Sequence, residues 1–440
     1  MNGLVGFLER SIVPIAAKIG SQKHLVAIRD AFIGLMPVTM AGSFAVLLNV
    51  FLRDLPNEWW GAGNGVTATF AWLIGMNGHV WQGSLAIFAI LFALSLGYNI
   101  AKAYDVDPLS GALVSLSAFI MGLPAVATIG EEAGWGFFNF AAHFGARGLF
   151  TVLLIGFLSV IIFCKFMQWN ITIKMPESVP PAVSKAFAAI IPGAVALYVA
   201  ALVYYLFGFF TGGESLIEWI IETIQAPLMG LSQGYGAVLV IVLLVHLFWF
   251  FGLHGANIMQ AILQPLYGAA GIENANAFEM GAEIPFQWVA GSFDAFVWPG
   301  GSGATLLLLV AILVFSKRSD YKMVGKLGIG PGVFNINEPV MFGLPVVLNP
   351  LLLVPFVLAP VAMATIAYAA TMLGWVDPVV VPITWVMPVG ISGFLATAGD
   401  WRSIILSLVN VAVGLIIYIP FVIAANSPKL GGGDAQAEQE

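Results

Sequence analysis

The 440-residue chain is 60% hydrophobic, only 9% charged and has a mean hydropathy of +0.95, which excludes a soluble globular protein with a solvated charged surface. Its formal charge of −7 comes from 16 basic and 23 acidic residues, and no basic cluster interleaved with aromatics points to a nucleic-acid partner. The single cysteine, Cys164, excludes a disulfide framework and a paired-cysteine metal site; at the end of an apolar run it reads as a packing residue.

Apolar windows of bilayer-spanning length recur, and because they are continuous rather than alternating they predict helices, not a membrane β-barrel. Residues 1–20 read as a short amphipathic helix with Leu4, Phe7, Leu8, Ile12 and Val13 on its apolar side. Glu9, Arg10, Lys18, Lys23 and Arg29 precede the first long apolar run without a small-residue cleavage site, so no cleaved leader is expected. Spans are predicted at about 30–51, 67–101 with a polar break at 77–82, 109–127, 147–166 and 183–210. The connection 211–234 carries Glu214, Glu218 and Glu222 and no Lys or Arg, whereas Lys102, Lys165, Lys174 and Lys185 gather at the opposite helix ends. The positive-inside rule therefore puts the N-terminus in the cytosol and this connection outside. Leu216, Ile217, Ile220 and Ile224 make 214–231 amphipathic, an interfacial helix linking two halves.

Further spans at about 236–252, 303–316, 347–373, 380–397 and 403–424 bring the total to about ten: an all-α polytopic membrane protein. Two stretches, 253–302 and 328–346, are broken by Gly and Pro, the pattern from which transporters build their sites. Lys317, Arg318, Lys322 and Lys326 should be cytosolic, which alternating crossings permit only if 253–302 crosses once more; the sequence leaves this open. The low-complexity tail, 426–440, is expected to be disordered.

In the run GIGPGVFNINEPVMFG, 328–343, Asn335, Asn337 and Glu338 stand between Pro331 and Pro339. Residues that precede proline avoid the helical region, so Asn337 and Glu338 are expected in a turn. A carboxylate there cannot face lipid and marks a site or pathway. Desolvated toward neutral pH, it could take a proton from a sugar hydroxyl while the amides hold others. The bland alternative is an Asx-type turn with a pore-lining carboxylate. In FFGLHGANIM, 250–259, Gly252 and Gly255 surround His254, with Asn257 close by; an imidazole there can donate to sugar or phosphate oxygens, whereas His246 reads as packing. His79, Asp294, Arg147 and Trp385 also fall at apparent membrane depth. Trp385 suits the apolar face of a sugar, and Arg147 could instead snorkel. WPGGSGAT, 298–305, has no following Lys and no preceding strand, so it is no nucleotide loop; neither a cofactor nor a metal is expected.

The segments MPESVPPAVSKAF (175–187), WFFGLHGANIM (249–259), SFDAFVWPGGSGATL (292–306) and PGVFNINEPVMFGLPVVLNP (331–350) resemble the membrane-embedded enzyme IIC of bacterial sugar phosphotransferase systems, lactose, cellobiose and diacetylchitobiose type. The resemblance implies a homodimeric two-domain transporter with re-entrant hairpins in the bacterial cytoplasmic membrane, both termini cytosolic. Residues 1–213 would be scaffold and dimer interface, 214–234 an interfacial linker, and 235–425 the mobile substrate-binding domain. A β-linked disaccharide or similar sugar would be phosphorylated from a phosphocysteine on a separate enzyme IIB chain. Glu338 would be the general base on a re-entrant hairpin and His254 would orient the hydroxyl and incoming phosphate. Asn335, Asn337, Asp294, His79 and Trp385 would line the pocket, with Arg147 and Asn257 as further candidates. The rival reading of the same residues is a proton-coupled secondary sugar transporter.

Overall fold

The computed structural model describes residues 14, 17–124, 126–129, 132–135, 143–176, 178–344, 346 and 349–426, so most of the expected N-terminal amphipathic helix and the tail after 426 lie outside the described residues. The described chain is helical except for connections and one antiparallel ribbon, β1 (Val126–Ile129) with β2 (Glu132–Trp135). It forms two compact units.

The first unit comprises Ser21–Leu231 and Gln264–Glu283. Its helices are α1 (Lys23–Gly34), α2 (Met36–Trp60), α3 (Ala71–Gln82), α4 (Phe88–Ala103), α5 (Pro108–Met121), α6 (Ala146–Gln168) and α7 (Pro181–Thr211). Helix α8 (Leu216–Ser232) covers the expected amphipathic stretch. Helices α4 and α5 touch backbone to backbone: a Cβ at Gly97 would run into the Gly111 carbonyl, and one at Gly111 into the Gly97 carbonyl and Ala101. Small residues at such a crossing maximise van der Waals contact where no hydrophobic effect operates between helices. Phe32 of α1 packs its ring 4.4 Å from that of Phe92.

Residues 264–283, inside the range expected for the second-half domain, group with this first unit. The reason is a polar seam along α11 (Ala269–Glu279), the second helix after α9 (Tyr235–Phe250) and α10 (Gly255–Leu263). Trp81 Nε1 donates to Asn276 Oδ1 at 3.0 Å, Asn276 Nδ2 donates to the Leu85 carbonyl at 3.3 Å, and Arg53 meets the Glu279 carboxylate, 5% exposed, at 3.0 Å. A buried carboxylate without its cation would be costly, so Arg53 fixes where α11 lies.

The second unit comprises the described residues of Met1–Gly20, Ser232–Leu263 and Ile284–Glu440. After α9 and α10 come α12 (Ala290–Phe296), α13 (Thr305–Phe315), α14 (Ser319–Val333), α15 (Glu338–Gly343), α16 (Pro350–Met372), α17 (Ile391–Ala396) and α18 (Arg402–Ala424). The Gln233 side chain brackets the Trp288 backbone, donating to its carbonyl and accepting from its N–H, both at 2.9 Å.

Among the described residues, six helices are long and apolar enough to cross a membrane by length and composition: α2, the run Ala71–Ala103 formed by α3 and α4, α6, α7, Leu351–Met372 of α16, and α18. Helices α5 and α13 are shorter apolar helices. The span expected at 380–397 is not a helix: the chain is irregular until α17 begins at Ile391. Hydropathy registered its apolar side chains, but Pro382 and Pro388 lack N–H groups and push the residues before them toward extended conformation. The Val380 and Val381 amides donate instead to the Ala396 carbonyl, at 2.9 and 3.0 Å. The break expected from Pro331 also comes later, because Pro331 lies within α14.

Overpacking a backbone contact costs about 1–3 kcal/mol or more. Gly97→Val is therefore expected to lower the melting temperature of the detergent-solubilised protein by roughly 4 °C or more. Gly75→Ala on α3, where a Cβ would meet nothing within 4 Å, should leave it unchanged.

Candidate functional site

Helix α14 ends at Val333, and two residues later Asn335 takes a left-handed backbone conformation, φ 62°, that asparagine tolerates better than most side chains. Its amide, 6% exposed, accepts at Oδ1 from the Gly300 N–H at 2.7 Å and donates through Nδ2 to the carbonyls of Trp385 at 2.6 Å and Met387 at 3.0 Å. One side chain thus pins together the turn before α15, the glycine loop after α12 and the irregular chain before α17. Asn337, 5% exposed, adds a bond from Nδ2 to the Ser302 carbonyl at 3.0 Å. The glycines of WPGGSG serve this close approach: Gly301 has φ 91°, and a Cβ there would lie 2.8 Å from the Asn335 carbonyl oxygen.

This framework leaves the next residue free. Glu338 opens α15, where Pro339 in the first turn forfeits no hydrogen bond. The expected turn therefore ends at Asn337, and Glu338 is already helical. Its carboxylate is 48% exposed and stands 3.9 Å from Nε2 of His254, itself 40% exposed. That separation is too long for a hydrogen bond, so a hydroxyl placed between them can reach both.

His254 lies between α9 and α10. Its Nδ1 accepts from the Asn257 N–H at 3.2 Å, which leaves Nε2 to carry the proton of the neutral ring and aim it toward Glu338. Trp249 backs the imidazole, with ring centroids 4.4 Å apart and only 2% of the indole exposed. Gly255 sits against Val245, where any side chain would collide with the Val245 carbonyl.

Of the remaining candidates, Asn257 is exposed, and Trp385 is 47% exposed with its carbonyl held by Asn335. Asp294 accepts from Trp298 Nε1 at 2.9 Å, and Phe293 stacks on the same indole. All of these belong to the second unit. His79, exposed on α3, and Arg147, in the helical turn Ala146–Gly148 and acting electrostatically on Glu273, belong to the first. His246 is fully buried with Nδ1 donating to the Val242 carbonyl, and Cys164 is fully buried. Among the described residues no group of three or more His, Cys, Asp or Glu side chains could hold a metal.

Sequence reasoning passed over Trp249 and did not anticipate that the Asn335 amide ties separate backbone stretches together. The first was signalled by its place at the head of WFFGLHG. The second had no local signal, because the partners of Asn335 lie 35 to 52 residues away.

Residues 29–360 match the family described as "Phosphotransferase system, EIIC". The chain is 42% identical to a PTS system cellobiose-specific EIIC component of Lactococcus lactis subsp. lactis, over 97% of this chain and 98% of the relative. It is 34% identical to a PTS system oligo-beta-mannoside-specific EIIC component of Bacillus subtilis, over 98% and 96% of the two chains. The crystal structure of the transporter ChbC, the IIC component from the N,N'-diacetylchitobiose-specific phosphotransferase system, superposes with a TM-score of 0.88 at 33% identity, covering 98% of this chain and 100% of that one.

Asn335→Asp keeps the acceptor for Gly300 but turns two donated hydrogen bonds into contacts between oxygens, a loss of roughly 1–3 kcal/mol. In hydrogen–deuterium exchange, the amides of 384–390 are expected to open about tenfold or more faster, while those of α16 keep their protection.

Proposed function

The chain belongs to the phosphotransferase system EIIC family, and from that premise we propose that Glu338 and His254 hold and activate a hydroxyl of a β-linked disaccharide. As a member, it is a sugar permease of the phosphotransferase system, a multi-pass membrane protein that works with its sugar and an EIIB component; phosphotransferase activity belongs to the complex.

The substrate class follows from the relatives, whose names specify cellobiose, oligo-β-mannosides and N,N'-diacetylchitobiose, all β-linked. In the proposed step Glu338 removes the proton of the sugar hydroxyl, the oxygen attacks phosphorus of the EIIB phosphocysteine, and the P–S bond breaks to release thiolate. The Nε2–H of His254 donates to a phosphoryl oxygen. Such a transfer needs positioning and charge stabilisation more than covalent help from the protein. Asn335 and Asn337, with their amides engaged by backbone, act by positioning. Trp385 offers an aromatic face to the sugar, and Asn257, Asp294, His79 and Arg147 stay candidates for hydroxyl contact on their chemistry.

We place the N-terminus and residues 317–326 in the cytosol by the positive-inside rule, with a C-terminus also cytosolic. About ten crossings per chain are reached if the shorter helices and broken segments are completed within the membrane. Residues 1–213 are assigned to the scaffold, 214–234 to the linker and 235–425 to the transport domain, apart from 264–283, which group with the first unit. In the proposed homodimer the scaffold supplies the interface; α7, with Tyr198 and Phe210 each 78% exposed, offers apolar surface for lipid or a second copy.

The 3.9 Å approach of two half-exposed titratable groups, each flanked by locked backbone, carries this reading. Glu338→Gln is expected to keep sugar affinity within about threefold and to cut sugar-phosphate formation by roughly 10²–10⁴-fold in proteoliposomes supplied with phosphorylated EIIB. Undiminished phosphorylation by that variant, or accumulation of unmodified sugar driven by a pH gradient, overturns it.

A further inference from the structure

Helix α14 has two unlike faces. Gly325, Gly328 and Gly332 fall on one side at helical spacing, packed against α13 so closely that a Cβ at each would lie 3.0, 3.1 and 2.9 Å from Leu313 or Leu309. Tyr321, 2% exposed, extends that side. The other side carries Met323, 65% exposed, Leu327, 70% exposed, and Lys326, with Lys322 at its edge. Gly330 lies there too, and a Cβ on it would meet nothing within 4 Å.

This open side does not suit lipid. Five of the ten residues from Lys317 to Lys326 are charged, which keeps the segment out of hydrocarbon and, with four of them basic, assigns it to the cytosol. Arg318 is engaged with Asp320 at 2.6 Å, whereas among the described residues no carboxylate lies within ion-pair distance of Lys317, Lys322 or Lys326. Two exposed apolar side chains framed by uncompensated cations have the makeup of a protein interface with an anionic partner. The same helix runs directly into the bracketed turn that presents Glu338, so a body seated on α14 stands beside the residue that a phosphoryl group has to reach. A phosphocysteine approaching a carboxylate brings a second negative charge toward the first, and cations along its path offset that repulsion.

We propose that Lys322, Met323, Lys326, Leu327 and Gly330 form the docking face for the phosphorylated EIIB component. This rests on the reading of Glu338 as the base only for the direction in which EIIB delivers its phosphoryl group; docking itself is measured without sugar.

The test uses the full chain in proteoliposomes and a purified phosphorylated EIIB of a cellobiose-type system. It reads EIIB binding in the absence of sugar, the half-saturating EIIB concentration for sugar-phosphate formation, and sugar affinity in the absence of EIIB. Lys322→Glu with Lys326→Glu is expected to weaken EIIB binding and raise half-saturation about tenfold at low salt, an effect that shrinks as screening grows. Gly330→Trp, whose Cβ would meet nothing within 4 Å, should raise both comparably at every salt concentration. Sugar affinity stays at the wild-type value in each, which also reports correct folding. Wild-type EIIB binding in both variants overturns the docking face, as does an equal loss of sugar affinity. If wild-type chain binds EIIB through this face while Glu338→Gln phosphorylates sugar normally, the docking face stands and the base assignment falls.

Discussion

A backbone that leaves the helical conformation inside an apolar protein must find hydrogen-bond partners without water, and the second unit meets that constraint with side-chain amides. Asn335 takes one N–H from the glycine loop and two carbonyls from the irregular chain before α17, Asn337 takes a carbonyl of the glycine loop, and Gln233 takes both polar groups of Trp288. Tyr418 satisfies a buried acceptor of the glycine loop by donating to the Gly303 carbonyl. Each such amide lies far in sequence from what it binds, so the irregular segments stabilise one another rather than standing alone.

That constraint explains the division of labour within NINEP. The two asparagines are nearly buried, and their side-chain amides bond to backbone, Asn335 through both ends and Asn337 through Nδ2. The glutamate one position later starts a helix and turns its carboxylate to open space. A group that must give and take protons needs free lone pairs and a fixed address. Here the address comes from neighbours whose side chains are bonded to backbone. His254 repeats the arrangement, its Nδ1 committed to the Asn257 amide and its Nε2 uncommitted.

Much of this could be read from residue order. Continuous apolar runs announced a helical membrane protein, and α6, α7, α16 and α18 fall close to where hydropathy put them, whereas α2 starts and ends later than the span expected at 30–51. The polar break near 77–82 corresponds to the point where α3 gives way to α4. FGLHG and NINEP stood out as the places where a polar cluster interrupts such runs, and the fold does bring His254 and Glu338 together. The stretch 380–397 misled because hydropathy scores the transfer of side chains and is blind to whether prolines let the backbone coil. The grouping of residues 264–283 with the first unit could not be read from sequence, because the ties of α11 to Trp81, Leu85 and Arg53 are long-range and leave no periodic trace.

Sequence alone determined what each residue can offer: which segments prefer a bilayer and which carboxylate and imidazole can exchange protons. Tertiary structure alone decided which offers are taken up, because hydrogen-bond partners 35 to 52 residues apart become neighbours only when the loops meet. On that ground Asn335 became a clamp, while Glu338, three residues on, kept its carboxylate open.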